Sequence, residues 1–105
     1  MRHGFIKTAA GTPKIQVADC VYNAGEILKL IRQMETEGAK IMAFPELCIT
    51  GYTCQDLFWQ TLLLDSAKEQ LVWLAGETSQ VDALIIVGLP WEYNGKLYNV
   101  AAVLN

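Results

Sequence analysis

The first 45 residues contain a strand, a helix and a second strand in an order that restricts the possible folds. The mostly apolar segment from Gly4 to Ala10 runs into the turn sequence Gly11-Thr12-Pro13, which is typical of a strand that ends in a turn. A second apolar segment extends from Lys40 to Phe44 and is stopped by Pro45. Because a strand, helix and strand unit forms a parallel pair with a right-handed crossover, the sequence predicts an α/β fold.

The helix between these two strands is predicted from the spacing of its apolar residues. Ile27, Ile31 and Met34 recur at helical intervals. Asn23 is a possible N-cap, and Gly38 can end the helix in the left-handed conformation. The spacing therefore predicts a first helix from about residue 23 to residue 38.

The second half of the chain predicts another helix and two further strands. Asp56 can cap a helix that continues to about Glu77, with apolar residues along one face at Leu63, Ala67, Leu71 and Leu74. The segment from Ala83 to Pro90 is apolar throughout, as is typical of a central strand covered on both faces. Asn94-Gly95 favours a tight hairpin before a last strand from Leu97 to Leu104, so the sheet is predicted to be mixed.

Composition excludes several classes of function. The 105 residues, with a net charge of -3, form at most one domain, and no Lys/Arg cluster is present to bind a phosphate backbone, so nucleic acid is not an expected partner. No apolar run approaches the roughly 20 residues that span a bilayer, so neither membrane insertion nor a signal peptide is expected. The 52% hydrophobic content of so short a chain predicts either a dense core or a partner surface that covers part of it, and the partner surface is favoured.

The cysteines do not predict a metal site or a disulfide framework. Cys20, Cys48 and Cys54 are odd in number, and they have neither CxxC spacing nor paired histidines near them. Reduced thiols in the cytoplasm are the expected state.

Glu46 is the strongest candidate for a catalytic residue. It comes directly after the carboxyl end of a predicted parallel strand, where ligands bind in α/β sheets. Pro45 restricts its own backbone and favours an extended Phe44, which gives the chain a defined exit from the sheet. A glutamate on such a support suits proton transfer, although most glutamates that follow a strand are simply solvated or cap a helix.

The segment FPELCITGY, residues 44–52, closely resembles the glutamate motif of the nitrilase, or carbon-nitrogen hydrolase, superfamily. The blocks at residues 4–6, 17–23, 51–58 and 87–90 are similar to the glutaminase domain of glutamine-dependent NAD synthetases. This resemblance implies that residues 1–105 are the amino-terminal part of a nitrilase-type α-β-β-α sandwich. The remainder of the glutaminase domain and the whole synthetase domain would lie outside this chain.

The resemblance also implies a role for two residues. Glu46 matches the glutamate that acts as general base toward a cysteine nucleophile, while a lysine stabilises the tetrahedral intermediate. The family's lysine and cysteine come later than Asn105, and neither Lys96 nor the three cysteines match them, so the chain alone is expected to be inactive. Tyr52 matches a tyrosine near the glutamine pocket and is expected to bind substrate, with a packed turn aromatic as an equal alternative.

As implied by the resemblance, the complete enzyme would hydrolyse glutamine and use the ammonia to amidate ATP-activated deamido-NAD to NAD. ATP and magnesium would be bound by the synthetase domain, and no cofactor is expected in this chain, which has no glycine-rich phosphate loop. A homo-oligomer is expected. Two alternatives stay open: a stand-alone amidase of the nitrilase superfamily acting on another small amide, and a non-catalytic α/β module that binds a partner.

Overall fold

The computed structural model describes residues 4–51 and 61–105. Within these ranges the elements follow in the predicted order, as β1 (Thr8–Ala10), α1 (Cys20–Thr36), β2 (Ile41–Ala43), α2 (Thr61–Glu77), β3 (Leu84–Tyr93) and β4 (Lys96–Leu104). Asp56, the predicted cap of the second helix, lies outside the described residues. Neither described helix combines the length and the apolarity that crossing a membrane requires.

The four strands form one mixed sheet in the order β1-β2-β3-β4. β1 and β2 are parallel, β2 and β3 are parallel, and β3 and β4 are antiparallel. The predicted mixed sheet is therefore confirmed. β1 is shorter than predicted because its neighbour β2 offers only three residues for pairing, Ile41 to Ala43.

Helix α1 begins earlier than predicted. Asp19, not Asn23, is the N-cap, and its side-chain oxygen accepts a hydrogen bond of 3.0 Å from the backbone N–H of Tyr22. The end of the helix is as predicted, since Gly38 has a φ of 82° and Ala39 N–H donates to the Met34 carbonyl at 3.0 Å. This pattern is that of a Schellman motif.

Both helices pack on the same face of the sheet. Two successive right-handed crossovers that move in the same direction along a sheet place their helices on one side. The core lies between these helices and the sheet, and its fully buried side chains include Ile27 and Ile31 from α1, Met42 from β2, Leu74 from α2, and Ile85 and Val87 from β3.

The other face of the sheet, here called the open face, is covered by no described helix, and the segment after β2 approaches it at Gly88. It is formed by the residues that alternate with the core positions: Thr8, Ala10, Ile41, Ala43, Leu84, Ile86, Ala101 and Val103. Leu84 is 40% exposed and Val103 is 59% exposed. The prediction that the apolar segment beginning at Ala83 is covered on both faces is therefore wrong at Leu84.

The hairpin between β3 and β4 is confirmed. Asn94 has a φ of 52° and Gly95 a φ of 75°, which are the two positive values that a type I′ turn requires. The turn pairs Tyr93 with Lys96 and sets the register of β4 along the whole of β3.

Candidate functional site

Glu46 lies where β2 has just ended, and it lines an open cleft of about 320 Å³. The other walls of the cleft come from the segment before Glu46 and from the two strands of the hairpin: Phe44, Pro45, Ile86, Val87, Gly88, Asn99, Val100 and Ala101. Glu46 is exposed, so its carboxylate is accessible to a ligand in this cleft. The structure thus puts the predicted residue at the carboxyl ends of parallel strands, where small molecules bind in α/β sheets.

The segment from residue 44 to residue 51, here called the Glu46 loop, is fixed along β3 by backbone hydrogen bonds. Phe44 N–H donates to the Ile86 carbonyl at 3.0 Å, and Ile49 N–H donates to the Gly88 carbonyl at 3.2 Å. Between these anchor points the chain turns back on itself, and Gly51 N–H donates to the Leu47 carbonyl at 2.7 Å. Glu46 is therefore attached to the sheet on both sides.

Leu47, the residue directly after Glu46, has a φ of 50°. A left-handed backbone costs a residue with a side chain about 1–2 kcal/mol, and it persists where the surrounding structure enforces it. Backbone strain of this kind is common at ligand-binding and catalytic positions. Its occurrence beside Glu46 is an independent reason to regard this loop as the functional segment.

Asn23 joins the start of α1 to the Glu46 loop. Its side chain is fully buried and accepts a hydrogen bond from Gln16 N–H at 2.7 Å. Its amide nitrogen donates to the Gln16 carbonyl at 2.8 Å and to the Ile49 carbonyl at 2.9 Å. The sequence predicted a structural role for Asn23, but as a helix cap; the side chain instead links segments 26 residues apart.

Asn99 is a candidate site residue that the sequence prediction missed. It lines the cleft of Glu46 and also a neighbouring apolar cleft of about 210 Å³, whose other walls are Leu47, Pro90, Leu97 and Tyr98. Asn99 reaches this position because the hairpin register pairs it with Pro90, on the same face as Gly88. The Asn94-Gly95 turn signal fixes the pairing of Asn99, the fourth residue of β4, with Pro90, but it does not show that this pair lies beside Glu46.

The two described thiols are not accessible. Cys20 and Cys48 are both buried. The Cys48 thiol lies 3.7 Å from the Gly88 carbonyl, and burial raises its pKa above the ordinary thiol value despite this hydrogen bond. A thiol that is buried and protonated is a poor nucleophile, so the described cysteines add no reactive group to the cleft.

The remaining predicted residues lie elsewhere. Tyr52 and Cys54 are outside the described residues, so the predicted substrate-binding role of Tyr52 stays a prediction. Lys96 is the first residue of β4, at the hairpin turn. Among the residues that the structure describes, no three His, Cys, Asp or Glu side chains are grouped as metal ligands.

The cleft presents one carboxylate, one carboxamide and apolar walls. A carboxylate open to a ligand can accept a proton, and the Asn99 carboxamide can both donate and accept hydrogen bonds. This combination suits the recognition of a polar group such as an amide, with proton transfer at Glu46. It does not by itself supply a nucleophile.

Comparison with known proteins gives a consistent family assignment. The model of the family described as "Carbon-nitrogen hydrolase" matches residues 7–105. A glutamine-dependent NAD(+) synthetase from Mycobacterium tuberculosis is 33% identical over 104 residues, which are 99% of this chain and 15% of that protein. The chain thus spans less than a fifth of the length of this relative.

Solved structures share the fold. A glutamine-dependent NAD(+) synthetase from Cytophaga hutchinsonii superposes with a TM-score of 0.83 at 30% identity, over 90% of this chain and 16% of that one. An amidase from Nesterenkonia sp. superposes with a TM-score of 0.78 over 98% of this chain and 39% of that one. At 20% identity, this second likeness establishes the fold alone.

Proposed function

The chain belongs to the carbon-nitrogen hydrolase family, and on this basis we propose that it is the amino-terminal part of a glutaminase domain in a glutamine-dependent NAD synthetase. The glutamine-dependent NAD(+) synthetase from Mycobacterium tuberculosis supports this proposal, because its sequence matches 99% of the chain. Its substrate is then glutamine, and the product is ammonia for the amidation of deamido-NAD. The synthetase reaction, with its ATP and magnesium, belongs to a separate domain to which no residue of this chain contributes.

Glu46 acts as the general base in this proposal. It takes the proton from a cysteine thiol, supplied by a later part of the glutaminase domain, as the sulfur attacks the side-chain amide carbon of glutamine. The same proton then goes to the departing nitrogen, so ammonia leaves and a thioester forms. In the second half, Glu46 takes a proton from the water that hydrolyses the thioester, which releases glutamate and restores the thiol.

The observation that carries the proposal is the position of Glu46. A carboxylate that follows a parallel strand and lines a cleft can meet a substrate without any movement of the sheet. Asn99, which lines the same cleft, is suited to hydrogen-bond the polar end of the bound amide. Tyr52 is proposed to complete the pocket as a substrate-binding residue.

The test uses the full-length protein that contains this chain. Glu46→Gln keeps the size of the side chain and removes the base, so kcat for ammonia release from glutamine should fall by about 10²–10⁴-fold. Glu92→Gln, at an exposed position of β3, is the matched control and should keep the wild-type rate. Glutamine turnover that survives Glu46→Gln would exclude the base assignment.

The same assay distinguishes the proposed function from two other functions. Ammonia release from small amides but not from glutamine would identify a stand-alone amidase. No release from any amide, together with binding of a partner protein, would identify a non-catalytic module. Only glutamine hydrolysis coupled to amidation of deamido-NAD supports the proposed function.

We propose that the open face is an interface, so that the chain does not work as an isolated monomer. Leu84 and Val103 expose apolar surface on this face, and such patches usually lie in an interface. We expect the 105-residue chain to self-associate in the reducing cytoplasm, its proposed location, unless another part of the enzyme covers this face. Sedimentation should therefore show oligomers.

A charge on the open face should weaken this association. Val103→Lys puts an ammonium group into the apolar surface, which is expected to weaken self-association by roughly tenfold or more. Val72→Lys is the matched control, because Val72 is 71% exposed on helix α2, away from the open face. A monomeric wild-type chain, or equal effects of the two variants, would contradict the proposed interface.

A further inference from the structure

At Gly88, the backbone of the Glu46 loop lies close against β3. A methyl group added at this glycine would lie 2.8 Å from the carbonyl oxygen of Pro45 and 2.9 Å from the carbonyl carbon of Glu46, and closer still to the amide nitrogen of Leu47. All three are backbone atoms, which cannot turn aside as a flexible side chain can. Any side chain at position 88 must therefore displace the backbone that carries Glu46.

The requirement for glycine at position 88 concerns space and not conformation. Its φ lies outside the left-handed region, so an alanine could adopt the same backbone. Gly76, in helix α2, also has a φ outside that region, and a methyl group there would meet no atom within 4 Å. The two glycines therefore form a matched pair that differs in the contact with the Glu46 loop.

Asn23 restrains the same loop from the other end. The buried carboxamide donates to the Ile49 carbonyl at 2.9 Å, and it is itself held by two hydrogen bonds to the backbone of Gln16. Nearby, Ala18 N–H donates to the Thr50 carbonyl at 2.8 Å. The loop is thus fixed at residue 49 by Asn23 of α1 and at residue 50 by Ala18, and residues 45 to 47 lie against Gly88.

The strained backbone of Leu47 lies between these two restraints. Its positive φ would relax if the loop were free to move, and such relaxation would rotate the peptide that follows Glu46. Contact with Gly88 on one side and the Asn23 hydrogen bond on the other oppose this change. Gly88 and Asn23 therefore both restrain the direction in which the Glu46 side chain leaves the loop.

We propose that Gly88 and Asn23 are positioning residues that set the place of the Glu46 carboxylate, an inference that rests on the proposed role of Glu46 as base. Neither residue needs to touch the substrate. Proton transfer requires the base to lie about 2.6–3.2 Å from the proton donor, so small displacements of the loop remove it from reach. A misplacement of about 1 Å can lower a rate on the order of a hundredfold.

The experiment compares Gly88→Ala with Gly76→Ala in the full-length protein, with ammonia release from glutamine as the measurement. Gly88→Ala should lower kcat on the order of a hundredfold with little change in KM, because the lost interaction is made in the transition state. Gly76→Ala should match the wild type. The double variant Gly88→Ala with Glu46→Gln should be no slower than Glu46→Gln alone, since both changes act through one carboxylate.

Asn23→Ala provides a second, independent variant that inserts no atoms and so decides the matter if Gly88→Ala does not fold. It should also lower kcat and should also add nothing to Glu46→Gln. Effects that multiply with Glu46→Gln, or wild-type kcat in both single variants while Glu46→Gln is inactive, would overturn the positioning roles alone. Absence of ammonia release from glutamine in the unaltered protein would overturn the proposed function and this inference with it.

Discussion

The two ends of the parallel pair β2 and β3 are flanked by side-chain contacts of different chemistry. At the amino ends, Lys40 Nζ forms an ion pair of 3.0 Å with Asp82, and the two side chains are 46% and 97% exposed. At the carboxyl ends, where Glu46 lies, Asn23 is fully buried and makes three hydrogen bonds to the loop and the segment before α1. One connection is charged and in water, whereas the other is neutral and excluded from it.

This difference predicts that the end beside Glu46 is held more strongly than the other end. An exposed ion pair contributes little, because water and salt screen the charges and two long side chains lose freedom. A buried amide that loses its partners leaves polar groups without hydrogen bonds, at a cost of about 1–3 kcal/mol for each group. The contact whose loss destabilises the chain more therefore lies beside the proposed catalytic residue.

The largest expected effect is on stability. Asn23→Ala leaves the Ile49 carbonyl and the Gln16 backbone without their partners, and it should lower the free energy of unfolding by about 2–4 kcal/mol. Lys40→Ala at the opposite end should leave the unfolding midpoint close to that of the wild type. Urea denaturation of both variants measures the free energy of unfolding. Equal losses of this free energy in the two variants would mean that the two ends do not differ.

An intermediate effect is expected on the reactivity of Cys48, which lies in the Glu46 loop. Because burial raises its pKa, the thiol should be alkylated by iodoacetamide roughly tenfold or more slowly in the folded chain than in the unfolded one. Asn23→Ala should speed the reaction by loosening the loop, and Lys40→Ala should not. Mass spectrometry of the Cys48 peptide follows this residue separately from the other thiols.

The raised pKa of Cys48 also gives the sign of a pH dependence. Above the ordinary thiol pKa, the unfolded chain releases this proton while the folded chain retains it, so stability should fall as the pH rises through that range. Cys48→Ala should remove this part of the alkaline loss. A pH dependence that is the same in the two proteins would show that the thiol is not buried as described.

The smallest expected effect is at the amino end. The hydrogen bond and charge of Lys40 hold the pKa of Asp82 below its ordinary value. The stability that this interaction adds is present above the pKa that the Asp82 carboxyl has in the unfolded chain. It is lost as the pH falls through the pKa of the same carboxyl in the folded chain. An NMR titration should show the Asp82 pKa returning to its ordinary range in Lys40→Met, and approaching it at high salt in the wild type. An unchanged pKa in Lys40→Met would remove Lys40 as the cause.

Much of the fold was predictable from the sequence because it depends on local signals. The helical spacing of Ile27, Ile31 and Met34 and the Asn94-Gly95 turn each identify an element within a few residues. The start of α1 was misplaced because Asp19 and Asn23 are both good capping residues. Only the position of the Ile49 carbonyl, far along the chain, shows that Asn23 has another partner.

The site was less predictable than the fold. The position of Glu46 after a strand followed from the pattern, but its proposed role came from resemblance, since a loop glutamate has no distinctive physical signal. The need for glycine at position 88 depends on a backbone contact between segments about 40 residues apart. The exposure of Leu84 was missed because an apolar strand looks the same whether one face or both are covered within the chain.

Because the turn at Asn94 and Gly95 is tight, the number of residues between this turn and Asn99 determines which side chain of β4 faces the cleft. Side chains alternate between the two faces of a strand, so one residue inserted between Lys96 and Asn99, with the turn kept, would slide the register by one position. Asn99 would then be turned toward the helices, and Tyr98 or the inserted residue would take its place. Asn99 therefore stays on the face of the cleft only when residues are inserted or removed two at a time.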